Sequence, residues 1–216
     1  MHRLVQLAVE FWLLNNREDH EAMALKVVSR EFLRPDNEDY DTQRQLFPHA
    51  RMVESYTFHV ESSNMILANL QYKVAAYEWH AGHYDLAEKS GKVACEKRQP
   101  LLGGLHEGTI HTQSLLGVIK RYQGAWDEAY SIQKGILRRK ESVFGVEHLD
   151  TIDTLNDLAD VREKRGYFAE AEDMAQRAYA IRMKRLGRYP KTLQSLMNVA
   201  KCKRRRANYK DAEALG

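Results

Sequence analysis

Two histidines stand three residues apart in His80-Ala-Gly-His83, a spacing that can bring two imidazoles to one metal ion when both lie on one helix face. Gly82 falls between them at a helix boundary and no third ligand lies nearby, so no metal centre is expected. Cys95 and Cys202 are far apart, with no Cys or His at ligand spacing from either. They read as small apolar residues within helices of a protein kept in a reducing, cytoplasmic setting. Glu170 and Glu172 are two apart and point to different faces of a helix, which rules them out as an acid/base pair. No Ser/His/Asp or Cys/His constellation can be located by spacing, and no Gly-x-x-x-x-Gly-Lys-Ser/Thr string occurs, which excludes that phosphate-binding loop here. The expectation is a protein with no catalytic residues and no cofactor.

The densest charge is Lys201-Cys-Lys-Arg-Arg-Arg206. A basic run of this kind can bind nucleic acid, but its place at the end of a helical pattern suits cations at a helix C-terminus. The formal net charge is only +3, too small to imply a polyanionic partner. A solvated helix face is therefore expected, and no nucleic acid.

The elements that carry these residues are helical. Only 4 Pro and 12 Gly occur in 216 residues, and Ala, Leu, Glu, Lys, Arg and Gln dominate. The opening MHRLVQLAVEFWLLNN is broken by Gln6 and Glu10 and lacks a small-residue cleavage site, so it reads as an amphipathic helix rather than a signal peptide. No stretch approaches the roughly 20 apolar residues of a membrane span.

Four strings recur: Gly82-His-Tyr-Asp-Leu-Ala-Glu88, Gly124-Ala-Trp-Asp-Glu-Ala-Tyr130, Gly166-Tyr-Phe-Ala-Glu-Ala-Glu172 and Ala207-Asn-Tyr-Lys-Asp-Ala-Glu213. Their alanines, Ala87, Ala129, Ala171 and Ala212, are 42, 42 and 41 residues apart. Leu102-Gly103, Phe144-Gly145 and Leu186-Gly187 keep that register, as do Thr109, Thr151 and Thr192. A period of this length denotes stacked helix pairs, each unable to bury its apolar stripe alone. The first glycine gives the positive φ of a tight turn, the aromatic fills the wedge between helices, and the alanine permits close approach. The threonines are suited to N-cap the first helix of each pair. The A helices are predicted at Thr109–Tyr122, Thr151–Lys164 and Thr192–Arg206, and the B helices at Tyr84–Leu101, Trp126–Phe144 and Phe168–Leu186. Ile110, Ile152 and Leu193 are expected core positions, and Pro100 is expected to kink or end its helix early.

Gly-x-aromatic-x-x-Ala and the small residue of the A helix resemble the tetratricopeptide family. The 42-residue period with Leu-Gly and the inter-repeat His148 (His106 loosely, Tyr189-Pro190 in the third unit) resembles its long kinesin-light-chain-like variant. The resemblance implies an all-α fold, a right-handed α-α superhelix over residues 63–216 of about three and a half helix pairs, the last one truncated. Residues 1–62 form a preceding helical segment, with helices predicted at Met1–Leu14, Glu18–Phe32 and about Gln43 to Val60, a polar turn at 34–41, and Asn64–His80 as the first A helix. The resemblance further implies a non-catalytic scaffold that takes a protein or peptide partner on a concave face lined by the A helices. Carried over by register, that face holds Asn69, Tyr72 and Trp79, then His111, Ser114, Arg121 and Tyr122, then Asp153, Asn156, Asp160 and Glu163, and finally Gln194, Lys201, Arg204 and Arg205. Met1-His-Arg-Leu-Val-Gln-Leu-Ala8 and Leu46-Phe-Pro-His-Ala50 resemble the repeat-proximal region of fungal NACHT or NB-ARC signalling ATPases, which implies a sensor tail of such a receptor as the alternative. An open C-terminal end would favour self-association.

Overall fold

The computed structural model describes residues 17–32 and 40–215, and within its helices the side chains of Tyr40 and of 208–215 are outside the description. The expected helix Met1–Leu14 and most of the polar turn lie outside the described residues. Every element among the described residues is a helix. They group into two compact units, Met1–Gly103 and Gly104–Gly216.

The first unit contains α1 (Arg17–Glu31), α2 (Tyr40–Glu54), α3 (Glu61–His80) and α4 (Tyr84–Leu102), and α1, α2 and α3 share one core of Leu25, Phe32, Ala50, Val53, Leu67, Leu70 and Val74. Phe47 packs on Tyr77 with ring centroids 4.8 Å apart. The helix expected to reach Val60 ends at Glu54 instead. The amides of Ser55 and Tyr56 turn onto the carbonyls of Met52 and Val53, and the Ser55 hydroxyl also donates to Met52, so the last carbonyls are satisfied by a tightened turn. Pro100 does not shorten α4. In the last turn its missing N–H removes a single bond, and Gly103 N still donates to Gln99 O at 3.0 Å.

A buried polar knot joins three of these helices. The Arg51 guanidinium of α2 binds Glu54 at 2.9 Å, Ser90 of α4 at 3.2 Å and the fully buried Glu78 of α3. Burial pushes the carboxyls of Glu54 and Glu78 up, and the Arg51 charge opposes that.

The second unit contains α5 (Glu107–Tyr122), α6 (Trp126–Phe144), α7 (Leu149–Lys164), α8 (Phe168–Leu186) and α9 (Pro190–Leu215). Gly124 and Gly166 turn at φ 76° and 85°, as Gly82 does at 82° in the first unit, and Ala129 and Ala171 are fully buried just after them. Trp126 and Phe168 are half-buried beside these turns. Ile152, Leu155 and Ala178 form one core with Leu137, Met174 and Ile181, and Ala159, Ala175 and Val199 form the next. Small residues are required on the A helices: a Cβ on Gly117 would lie 2.9 Å from Gln133 Cγ.

The threonines are not the caps. α5 and α7 begin two residues earlier than predicted, capped by His106 and His148, whose Nδ1 atoms accept from the amides of Gly108 and Asp150. Thr109 and Thr151 lie inside the first turn, buried, with Thr151 Oγ1 donating to Gly145 O at 2.9 Å. An imidazole nitrogen thus does what a hydroxyl oxygen does elsewhere. α9 lacks the histidine and starts instead on Pro190, which is preorganised for a first helical position.

α9 also runs on past its predicted end at Arg206 to Leu215. Ala207 stands where the other three pairs have a glycine, and alanine continues a right-handed helix readily. Leu193, expected in the core, is 47% exposed.

Candidate functional site

In the first unit the A-helix face belongs to α3. Asn69 Oδ1 accepts from Arg98 of α4 at 2.6 Å, and the same guanidinium lies 4.7 Å over the ring of Tyr72. Trp79 is half-buried, with its ring against His80 at 4.3 Å. His83 lies across the turn at the start of α4 and caps it with no side-chain hydrogen bond.

In the second unit the face is built by α5, α7 and α9. Helical periodicity puts Asp150, Asp153, Asp157, Asp160 and Glu163 on one stripe of α7. Basic side chains of neighbouring helices meet that stripe. From α5, Arg121 reaches Asp160 at 3.0 Å and Asp157 at 3.5 Å. From α9, Lys191 reaches Asp153 at 3.0 Å, Lys201 bridges Asp160 at 2.8 Å and Glu163 at 3.1 Å, and Arg205 reaches Glu163 at 3.0 Å. At the other end His111 Nε2 lies 3.3 Å from Asp150. Asn156 is buried, its Oδ1 accepting from Ser195 and Asn198 of α9. The result is a ladder between successive A helices, most of its rungs about one repeat apart in sequence.

The ladder sets the ionisation of its members. Burial alone pushes Asp160 up, but the hydrogen bonds and charges of Lys201 and Arg121 outweigh it and hold the carboxyl below its ordinary value. Those carboxylates in turn raise Arg121 and Lys201 against their own desolvation. Asp157 is the exception. Burial pushes it up to about 6, Arg121 offsets that only in part, and Asp153 and Asp160 repel the charge. Cys202, buried on the inner side of α9, is pushed up to about 11 by desolvation, so it stays a neutral thiol at ordinary pH.

The other expected face residues divide by exposure. Ser114 turns its hydroxyl to the Ile110 carbonyl of its own helix, and Glu163 is buried. Tyr122, Gln194, Arg204 and Arg205 are exposed, with Arg121 lying 4.8 Å over the Tyr122 ring.

Asp157 and Asp150 were not among the expected face residues, and neither was a second series on the B helices. Arg98, Lys140 and Arg182 are 42 residues apart, all buried, and each reaches across to an A helix. Lys140 Nζ donates to the Asp150 carbonyl at 3.1 Å, and Arg182 to the Lys191 carbonyl at 2.9 Å as well as to Ser195 and Asp153. Burial lowers Lys140, and nearby Asp150, Asp153 and Asp157 oppose the shift. The 42-residue recurrence of a cation was the signal for this series.

Helix pairs closed by a left-handed glycine, seated on a buried alanine and repeated in register, define an all-α fold of tetratricopeptide type. Residues 109–184 match the tetratricopeptide repeat family. Solved structures carry the likeness over nearly the whole chain. One is a Podosopora anserina putative kinesin light chain with nearly identical TPR-like repeats, at TM-score 0.63 and 16% identity, covering 93% of this chain and 92% of that one. Another is BtubC (BKLC) from P. vanneervenii, at TM-score 0.66 and 16% identity, covering 92% and 84%. No curated protein matches the chain. Among the described residues no helix is long and apolar enough to cross a membrane, and no group of three or more His, Cys, Asp and Glu side chains is placed to hold a metal ion.

Proposed function

We propose that this chain is a non-catalytic interaction scaffold that holds a peptide or helix of a partner protein along its A-helix face, in a cytoplasmic setting suited to its two cysteines, which form no disulfide. The repeat fold supports the reading, since such arrays typically present an extended surface to other proteins. The observation that carries it is the second unit's ladder. Three A helices are fixed side by side by charge pairs, while Tyr122, Gln194 and Arg204 remain exposed on them for a partner. Asn156, Asp160 and Glu163 serve the partner indirectly, by holding those helices in place. No nucleic-acid partner is proposed, because Lys201, Arg205 and Arg206 of the basic run are engaged by Asp160, Glu163 and Glu172.

The test is affinity capture with three forms of the chain. Tyr122→Ala/Gln194→Ala/Arg204→Glu should lose the proteins held by the natural chain, while a control at the exposed Arg177 of α8, Arg177→Glu, should keep them. Loss with both variants, or with neither, refutes the face. No observation favours the receptor-tail alternative. Residues 1–8 lie outside the described residues, and Leu46, Phe47 and Ala50 have a structural use in the core of the first unit.

A further inference from the structure

α6 contains a glycine in its interior that close packing does not require. A Cβ on Gly135 would meet no neighbouring atom within 4 Å, whereas one on Gly117 of α5 would press on Gln133. Glycine is a poor residue for a helix interior, and in the 42-residue register its place is taken by Val93 in α4 and Arg177 in α8. At Gly135 the surface opens into a cavity of about 270 Å³ between α5 and α6, just below the size that takes a drug-sized ligand.

The floor of the cavity is aliphatic, made by Leu116 of α5 and by Ile132 and Ile136 of α6. Its rim is polar, with Ser131 at one end and Gln113 and Arg139 at the other. In the next helix pair the corresponding place is filled from within. Leu155 and Ile181 stand in the register of Gln113 and Arg139, and both pack in the core with Met174 and Ala178. Arg139 Nη1 donates to Gln113 Oε1, which leaves the other guanidinium N–H groups and the Gln113 amide N–H groups as donors at the rim. Among the described residues Arg139 meets no carboxylate, whereas Arg121, Arg162 and Arg182 of the same unit each do.

We propose that this cavity is a binding site for a linear aliphatic carboxylate, a medium-chain fatty acid. Its carboxylate accepts from Arg139 and Gln113, the arrangement for which a planar guanidinium is best suited. Its chain runs over Leu116, Ile132 and Ile136, past Gly135, toward Ser131. Ser131 and Arg139 are eight residues apart on one helix, a span of about 12 Å. An extended chain of about eight to ten carbons has that length. The inference goes beyond the partner reading and stands without it, because no partner protein enters its test.

The test is titration of the isotope-labelled full chain with sodium octanoate, followed by amide NMR shifts, with octanol and octylammonium as comparisons. Saturable shifts centred on Gly135, Leu116 and Arg139 are expected, with a Kd on the order of 0.1–1 mM for a ligand of about ten non-hydrogen atoms. Octanol should bind about tenfold more weakly, and octylammonium, repelled by Arg139, should give no shifts there. Gly135→Leu fills the cavity from the helix itself and should abolish octanoate binding. Arg139→Met should weaken octanoate about tenfold and leave octanol unchanged, while Arg138→Met on the neighbouring exposed position should change neither. Circular dichroism checks the fold of each variant, and Arg139, being exposed, decides the matter even where Gly135→Leu does not fold. The proposal is overturned by a lack of saturable shifts up to about 10 mM octanoate, ten times the weakest expected Kd. Equal binding of octanoate and octanol, or full octanoate affinity in Arg139→Met, overturns it too. So do shifts that persist in a folded Gly135→Leu, which would place the ligand elsewhere.

Discussion

Replacing Asp157 by asparagine should stabilise the second unit at neutral pH. Its carboxyl sits among Asp153, Asp160, Arg121 and Lys140, and burial moves its titration from the ordinary 3.8 to about 6. A shift of that size corresponds to about 3 kcal/mol of disfavoured ionisation. The side chain is 29% exposed, so solvent screens part of the cost, and asparagine also gives up the 3.5 Å contact with Arg121. A net gain of about 1–2 kcal/mol at pH 7 remains. The sign follows from proton binding. Between pH 4 and 6 the folded chain holds the Asp157 proton more tightly than the unfolded chain, so this group's contribution to stability falls as pH rises through that window. The advantage of Asp157→Asn should therefore be absent near pH 4, grow to about pH 6 and stay level above 7. Urea unfolding followed by circular dichroism at pH 4, 5, 6, 7 and 8 measures it. A variant less stable at pH 7 would show that the Arg121 pair outweighs desolvation. An advantage independent of pH would show that ionisation is not its source. Either result refutes the reasoning.

Asp160→Asn should behave in the opposite way. Its depressed carboxyl adds stability that is present above the ordinary value and lost as pH falls through the folded one, so the variant should be weaker at pH 7, with the gap closing below about pH 4 in the same urea series. Arg182→Met removes the donor to the Lys191 carbonyl, Ser195 and Asp153 and should cost about 2–3 kcal/mol, read from the urea midpoint. His148→Ala should cost about 1 kcal/mol through loss of the α7 cap, and His148→Asn should recover most of it. Gly166→Ala meets no neighbouring atom within 4 Å, so its cost, about 1–2 kcal/mol by thermal unfolding, measures the left-handed backbone at φ 85° alone.

Backbone demands were legible in the sequence because few residue types satisfy them. A glycine before an aromatic and an alanine fixed three turns, and the 42-residue register placed the A and B helices between them to within a few residues, except for the end of α9. The caps were not legible because threonine is a common N-cap residue, although His106 and His148 keep the same register one residue before each helix begins. Arg98, Lys140 and Arg182 were passed over because a cation on a helix is usually solvated, whereas here each is buried with its head group on an A helix. Exposure of the charged face was the least legible feature. Asp160 and Arg204 look alike as polar residues at A-helix positions, and only the packing of α5 and α9 against α7 separates the paired from the exposed. α2 ended early for a local reason, the Ser55 hydroxyl turning back on Met52, which hydrophobic periodicity does not register.

That pairing constrains how any partner can use the face. An ion pair at the exposed edge contributes about 0–1 kcal/mol, so a ligand carboxylate or cation can replace one of its members at little cost. Lys191–Asp153 and Arg205–Glu163 each have one partner more than half exposed, Lys191 and Arg205. Glu163 itself is only 2% exposed and bound by both Lys201 and Arg205, so withdrawing its cations would leave a buried charge uncompensated. A ligand can therefore recruit Arg205 only while Lys201 stays on Glu163. At Asp153 either member of the pair can be recruited, because Arg182 still holds the carboxylate from beneath. The adaptable part of the face is thus the start of α7 and α9, and the fixed part is the C-terminal end of α7 and the middle of α9, where Asp160, Glu163, Arg121 and Lys201 lock three helices together.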